Sequence, residues 1–294
     1  MSFTSDSVQL FLAVVERGSY SAAARTLGRV PSAVSMGIGN LEAELGYLLF
    51  DRSHREPVPT DLALALIPHA RLMAEQLKQL QVHALQLSQG LESKLSIGVG
   101  AEINTHRLLA AIGDICVQFP LLDIEVLTAP QDDVLQLLHS KRVQVCLAYA
   151  GLSVNVLERF QFVASEQLIA CISPHHLQFQ AGGEPFLEDL VQVRQILVAG
   201  RDVPLSDRRP LVGQSCWRTD TLGMALEMVE AGLGWGNFPQ SVVAPLLAQG
   251  RLRRLQFRNI ENGLAMVVNA VWLKNQPLHK GASALVTRLA EAAQ

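Results

Sequence analysis

Between residues 60 and 89 the chain runs for thirty residues without a glycine, and from residue 70 its apolar side chains return in alternating steps of three and four. Ala70, Met73, Leu77, Leu80, Ala84 and Leu87 make that stripe. An average repeat near 3.5 marks a helix with an a/d seam, which prefers a partner helix. At roughly 1.5 Å per residue the run is about 45 Å long, more than a small domain covers. The alternative is an amphipathic helix lying on its own domain; the length favours a seam between two copies of the chain. Thr60 is a good cap for this helix, Pro57 and Pro59 lead into it, and Pro68 predicts a kink. The run divides the sequence into three parts, 1–60, 61–90 and 91–294.

The first part reads as short helices. Ser5, Asp6 or Ser7 is placed to cap the first, which carries Val8, Phe11, Leu12 and Val15 on one face and stops at Gly18. Ser19 offers its hydroxyl to a second helix, 20–27, which Gly28 breaks. Ala22, Ala23 and Ala24 leave room for a close helix crossing, and a third helix spans 31–45 before Gly46. Helix, tight glycine turn and helix is an arrangement that places a recognition helix in a DNA groove, although other small helical domains share it.

The ordered run Phe11, Gly18-Ser19-Tyr20-Ser21-Ala22-Ala23, Leu27, Ala33-Val34-Ser35, Ile38, Leu41-Glu42, Leu45-Gly46, Leu49-Phe50-Asp51-Arg52 and Thr60 resembles the N-terminal signature of the LysR-type transcriptional regulators. The resemblance implies a winged helix-turn-helix that binds double-stranded DNA. It places Ser32, Ser35, Met36, Gly37 and Asn40 toward the major groove, and Arg52 and Arg55 near phosphates. The chain also departs from the pattern. Val30-Pro31 and Met36-Gly37 stand where the family usually has Ser-Gln and a polar or basic residue followed by Gln. Gly37 and Gly39 each weaken the helix by about 1 kcal/mol against Ala. Residues 1–90 hold seven Lys and Arg against eight Asp and Glu, so attraction to phosphate is expected to be modest. On this reading, Gln at position 37 would strengthen DNA binding.

From Lys94 the pattern changes to strands at 95–100, 124–129 and 143–149, with helices at 105–118 and 132–140 between them. That order demands a mostly parallel sheet with helices on its faces. A second lobe begins near Val163, and the run 264–273 with a final helix returns to the first. Ala231-Gly232-Leu233-Gly234, Phe238-Pro239 and Gly250-Arg251-Leu252 resemble the effector domain of the same regulators, which is similar to periplasmic binding proteins. The fold class is therefore multidomain, α plus α/β: winged helix-turn-helix, long linker helix, and a two-lobed effector-binding domain. Lobe I covers about 91–162 and 264–294, and lobe II about 163–263.

In open parallel sheets, ligands bind beyond the carboxyl ends of the strands, near helix N-termini. Segments 100–105, 128–131, 199–202 and 216–219 should meet there. The resemblance implies a small-molecule effector in that cleft, with Ala101, Glu102, Asn104, Thr105, Thr128, Gln131, Arg201, Trp217 and Arg218 as candidate contacts. Thr105 and Thr219 read equally as helix caps, and Trp217 as buried support or pocket wall. Arg201 and Arg218 are surface charges or anion clamps, and as clamps they point to an anionic effector. Gly232, Gly234 and Gly236 read as turn and close-packing residues, since no dinucleotide-binding strand and helix flank them.

Enzyme signatures are missing: no G-x-S-x-G, P-loop or H-E-x-x-H occurs, so neither catalytic residues nor cofactors are expected. The four cysteines are scattered, which argues against a metal site, and Cys116 and Cys146 read as core. Neither a signal peptide nor a membrane span is evident, so a cytoplasmic location is expected, with no membrane partner. The expected partners are double-stranded DNA, a small-molecule effector, and a second copy of the chain in a homodimer or homotetramer. Two rivals stand beside this reading. One is a small-molecule binding protein with weakened or lost DNA binding; the other is an enzyme on a solute-binding-like fold.

Overall fold

The computed structural model describes residues 3–51, 53, 56–149, 155–177, 184–201 and 205–292. The chain separates into two compact units, Met1–Gln89 and Gly90–Gln294.

In the first unit, helix α1 (Ser5–Arg17) is capped one residue earlier than expected. Thr4 Oγ1 accepts the Ser7 amide at 3.1 Å, and Ser7 Oγ accepts the Thr4 amide at 2.9 Å. The reciprocal pair satisfies two amides at the helix start. Ser19 caps α2 (Tyr20–Leu27) by accepting the Ala22 amide at 3.1 Å, and the chain leaves this helix through Gly28 at φ 65°. Helix α3 (Pro31–Leu45) has no side-chain cap; Pro31, which lacks an N–H, occupies its first turn. The helices close over Phe11, Val14, Ala23, Ala24, Val34 and Ile38. Phe50 joins this core with its ring 5.9 Å from Phe11 and 6.2 Å from Tyr20. Strands β1 (Phe50–Asp51) and β2 (Val58–Pro59) pair antiparallel as the wing.

Helix α4 (Asp61–Ser88) starts on Thr60, whose Oγ1 accepts the Ala63 amide at 3.2 Å, and it continues through Pro68. Ala63, Leu66, Ile67, Ala70 and Ala74 pack on the core of this unit. Further along, Leu80, Val82, Leu85 and Leu87 are exposed. The first seam position, Ala70, is therefore covered by its own unit, and the later ones are not.

The second unit opens with β3 (Lys94–Gly100), α5 (His106–Gln118), β4 (Asp123–Ala129), α6 (Gln131–His139) and β5 (Val145–Tyr149). Strand β3 pairs in parallel with both β4 and β5, which satisfies the βαβαβ expectation. The long β6 (Glu158–Ile172) leads to a 3₁₀ turn (Leu187–Gln192), β7 (Gln195–Val198), β8 (Cys216–Thr219) and α7 (Leu222–Glu230). Then come β9 (Trp235–Pro239), α8 (Gln240–Ala248), β10 (Arg253–Arg254), β11 (Leu264–Leu273) and α9 (Lys280–Glu291).

Two long antiparallel strands join the lobes. Strand β11 pairs with β5 on one side and with β6 on the other. Along β6, residues up to Leu168 pair with β11, and residues from Leu168 onward pair with β9. Leu168 is thus the point where β6 passes from one lobe to the next. Lobe I is filled by Ile97, Val99, Ile115, Leu285 and Leu289, and lobe II by Ile169, Ile196, Val229 and Phe238. Gly234 is a close-packing residue, as expected: a Cβ there would collide with the Arg194 carbonyl. Cys146 is buried, but Cys116 is exposed on α5, so only one of the two expected core cysteines is in a core.

Candidate functional site

Helix α3 turns Val34, Ile38 and Leu41 into the core. Ser32, Met36 and Asn40 form an exposed stripe one turn apart, with Ser35 half-buried beside it. Gly37 lies elsewhere on the helix. A Cβ at this position would stand 2.5 Å from Leu10 Cδ1, so the residue faces α1 and not the stripe. Its missing side chain is explained by close packing of α3 on α1, which corrects the expectation that Gly37 looks into the groove. Arg52 and Arg55 lie outside the described residues. A residue whose role the sequence left unassigned, Glu42, is buried and accepts the Leu49 and Phe50 amides at 2.8 and 3.1 Å. It fixes the start of the wing to the end of α3.

In the second unit, a cavity lies between the lobes beyond the carboxyl ends of β3, β5 and β7. Glu102, Gln131, Asp132 and Tyr149 line it from lobe I; Val198, Ala199 and Gly200 line it from lobe II. Leu168 and Met266 of the connecting strands also line it, and Leu205, Asp207 and Pro210 complete the lobe II wall. Three of the four expected segments therefore meet. The fourth, 216–219, does not line this cavity; it forms the edge strand β8.

The expected contacts divide accordingly. Glu102 and Gln131 line the cavity, whereas Asn104 lines a neighbouring one with Arg107 and Glu166. Ala101 packs against the lobe II core. Thr105 makes no side-chain cap bond; Asn104 Oδ1 instead accepts the His106 amide at 2.9 Å. Thr128 is exposed on β4. Thr219 does not cap α7; Thr221 does, accepting the Met224 amide at 3.3 Å. Arg201 is 76% exposed and pairs with Asp220. Trp217 is neither buried support nor pocket wall: it is exposed on β8, with the Arg194 guanidinium 3.7 Å above its ring. Arg218 is exposed on the same strand.

The cavity is nearly shut, with about 30 Å³ of free space, room for a few waters at most. A clasp holds it. Asp132, at the N-terminus of α6, is 7% exposed and accepts both the Ser206 amide at 3.1 Å and the Ser206 hydroxyl. Its neighbour Asp133 accepts the Arg201 amide at 3.2 Å and presses so closely on Gly200 that a Cβ there would collide. Aspartates in the first turn also suit the positive end of the helix dipole. The chain thus supplies its own carboxylates where an anionic ligand would otherwise dock.

Around the clasp, Gln131 and Tyr149 exchange two bonds of 2.9 Å between amide side chain and backbone, and the Tyr149 hydroxyl donates to the Glu102 carbonyl at 2.8 Å. Burial, followed by the negative charges of Glu102 and Glu166, pushes the Tyr149 phenol up. Burial also pushes the Glu102 carboxyl up, to about 8. Asp207 goes the other way: burial opposes its charge, but hydrogen bonds from Arg209 outweigh that and hold it low. Asp132, Asp207 and Leu168 were not legible as site residues, because 205–210 and the crossover of β6 carry no sequence motif.

A winged helix-turn-helix ahead of a two-lobed α/β unit with an interlobe cavity has the parts of an effector-controlled DNA-binding protein. Residues 5–64 match the bacterial regulatory helix-turn-helix protein, lysR family, and residues 88–294 match the LysR substrate binding domain. The chain is 35% identical over 288 residues to the HTH-type transcriptional regulator AceR of Acinetobacter baumannii, covering 97% of this chain and 96% of that one. Its fold is similar to that of CbnR, a LysR family transcriptional regulator, with TM-score 0.57, 18% identity, and 99% and 100% of the two chains covered. It is also similar to ArgP from Mycobacterium tuberculosis, with TM-score 0.53, 22% identity, and 100% and 98% covered. The chain belongs to the LysR-type transcriptional regulators, which bind DNA through the helix-turn-helix, bind small-molecule effectors through the C-terminal domain, form oligomers, and are not enzymes. Among the described residues, no helix is long and apolar enough to cross a membrane.

Proposed function

We propose that residues 1–60 read duplex DNA, 61–90 join two copies of the chain, and 91–294 hold the effector in the interlobe cavity. Ser32, Ser35, Met36 and Asn40 meet the major groove, and Arg52 and Arg55 meet phosphates. The effector contacts Glu102 and Gln131, and it must part Asp132 from Ser206 to enter. The observation that carries this reading is the clasp across a cavity at the crossover of β6, because a ligand that breaks it changes how the lobes sit. Genomic selection of bound fragments, followed by anisotropy titrations with and without the Asn40→Ala and Ser35→Ala substitutions, tests the DNA face. Unchanged affinity in both variants would remove α3 from the reading. Binding to the genome places the protein's work in the cytoplasm. The ground for an anionic effector is gone with Arg201 and Arg218 outside the cavity lining.

The uncapped start of α3 favours a second reading, a small-molecule binding protein with weakened DNA binding. Failure of the full-length oligomer to be retained on any duplex at low salt, with the effector domain still responding to ligand, would select it.

A further inference from the structure

We infer that the effector is an organic cation that donates N–H hydrogen bonds, a protonated amine or guanidinium on a short apolar body, received by the carboxyl groups of Glu102 and Asp132. The inference rests on the interlobe cavity being the effector site and adds the chemical class of its ligand.

The charges of the lining carry it. Three carboxyl-bearing residues, Glu102, Asp132 and Asp207, line the cavity, and among the described residues its lining holds no Lys, Arg or His. Two of the three are already engaged, Asp132 by Ser206 and Asp207 by Arg209. Among the described residues no hydrogen-bond donor reaches the Glu102 carboxyl. Placing a carboxyl group in such surroundings without a partner is unfavourable, and an apolar side chain would fill the space at no such cost. A group kept at that disadvantage in a cleft is a mark of a ligand site. Its burial supports the point: the carboxyl is so poorly solvated that its charged form is disfavoured until a cation arrives.

The rest of the lining sets the shape of the ligand. Leu168, Val198, Ala199, Leu205, Pro210 and Met266 supply the apolar part of the lining. Among the described residues Tyr149 is the single aromatic in the lining, and one ring does not make an aromatic cage of the kind that receives quaternary ammonium groups. Carboxyl oxygens recognise N–H donors instead. An anion entering here would meet the carboxylates of Asp132 and Asp207, one of them at the aspartate-filled N-terminus of α6, and no side-chain cation among the described lining residues.

The test uses the full-length protein and five probes of matched length: n-butylammonium, n-butylguanidinium, butyltrimethylammonium, pentanoate and pentan-1-ol. Binding is read by calorimetry and thermal shift on the wild type, on Glu102→Gln and Glu102→Asp, and on Leu205→Trp, which plugs the cavity from lobe II. Circular dichroism melts confirm that each variant folds. The expected result is binding of the amine and the guanidine, at least tenfold weaker in Glu102→Gln and lost in Leu205→Trp, with partial recovery in Glu102→Asp. Pentanoate binding that Leu205→Trp removes would overturn the cationic ligand and leave the cavity standing as the effector site. Amine binding that neither variant alters would overturn both. Binding by none of the probes, or equally by the quaternary ammonium, would also overturn the inference.

Discussion

Glu42 Oε1 accepts the backbone N–H of Leu49 at 2.8 Å in a position where Glu42 is only 5% exposed. The same oxygen accepts Phe50 N–H at 3.1 Å, so one side chain on α3 satisfies two amides at the start of the wing. Glu42→Ala leaves both amides buried and unpaired, which costs about 2–4 kcal/mol of stability in the first unit. Glu42→Gln keeps an acceptor and loses about 1 kcal/mol. Urea titrations of the full-length variants check the ordering, and an alanine variant as stable as wild type would show that the wing does not depend on this contact.

Gly37 and Leu10 make a second testable pair. An added Cβ at 37 falls 2.5 Å from Leu10 Cδ1, and Leu10 is itself buried at 3% exposure. Alanine gains about 1 kcal/mol of helix preference there. Overpacking costs about 1–3 kcal/mol, so alanine comes out between neutral and about 2 kcal/mol destabilising, and a longer side chain directed at the buried Leu10 lies toward the destabilising end. Gly37→Gln should therefore lower both stability and DNA affinity, the reverse of what the family pattern suggests. Adding Leu10→Ala should recover part of the stability, as a double-mutant cycle would reveal.

That reversal shows where the sequence was legible and where it was not. Periodicity and caps are local, and they located α2, α3 and α4 and the Ser19 and Thr60 caps. The parallel pairing of β3 with β4 and β5 was legible because the βαβαβ pattern admits few topologies. Gly37 was misread because its neighbour, Leu10, is 27 positions away and no spacing rule connects them. Trp217 and Arg218 were misread for a related reason. Cys216–Thr219 is a four-residue edge strand whose parallel partner, β7, lies about 20 residues earlier, so an exposed turn and a short strand look alike. Asp132 sat inside an expected helix, but its partner Ser206 is 74 residues distant, which hid the clasp.

The free half of α4 gives a third prediction. Leu80 is 60% exposed and Leu87 is 40% exposed, both on the a/d stripe beyond the part that packs on its own unit. Burying a leucine contributes about 1.5–3 kcal/mol, and a two-copy seam buries each position twice. Leu80→Asp with Leu87→Asp should raise the dimer dissociation constant by at least a hundredfold. Ala70→Asp should instead unfold the first unit, since Ala70 belongs to its core. Sedimentation velocity separates the two effects: a dimer that survives the paired aspartates would move the interface off this helix.

Glu102 supplies the last prediction, a pH dependence. In the folded protein its carboxyl is pushed up to about 8 from an ordinary value of 4.5, by burial. Between those values the folded chain holds a proton that the unfolded chain has released, so stability falls as pH rises. The fall is at most about 1.4 kcal/mol per pH unit for one proton. Below 4.5 both states are protonated and above 8 both are ionised, so outside the window the contribution is flat. Other titratable or charged groups lie around the same cavity: Tyr149 from β5, Asp132 from α6, Asp207 with Arg209 from the 205–210 segment, and Glu166 of β6, whose charge acts on Tyr149. Their own titrations appear in wild type and variant alike and largely cancel in a difference. Glu102→Gln keeps the size of the side chain and removes its proton equilibrium. The variant's stability relative to wild type should therefore climb steadily from pH 5 to pH 8 and then level. Guanidinium melts at half-unit intervals measure it, and a difference that stays flat across that range would mean the Glu102 carboxyl is ionised in the folded protein.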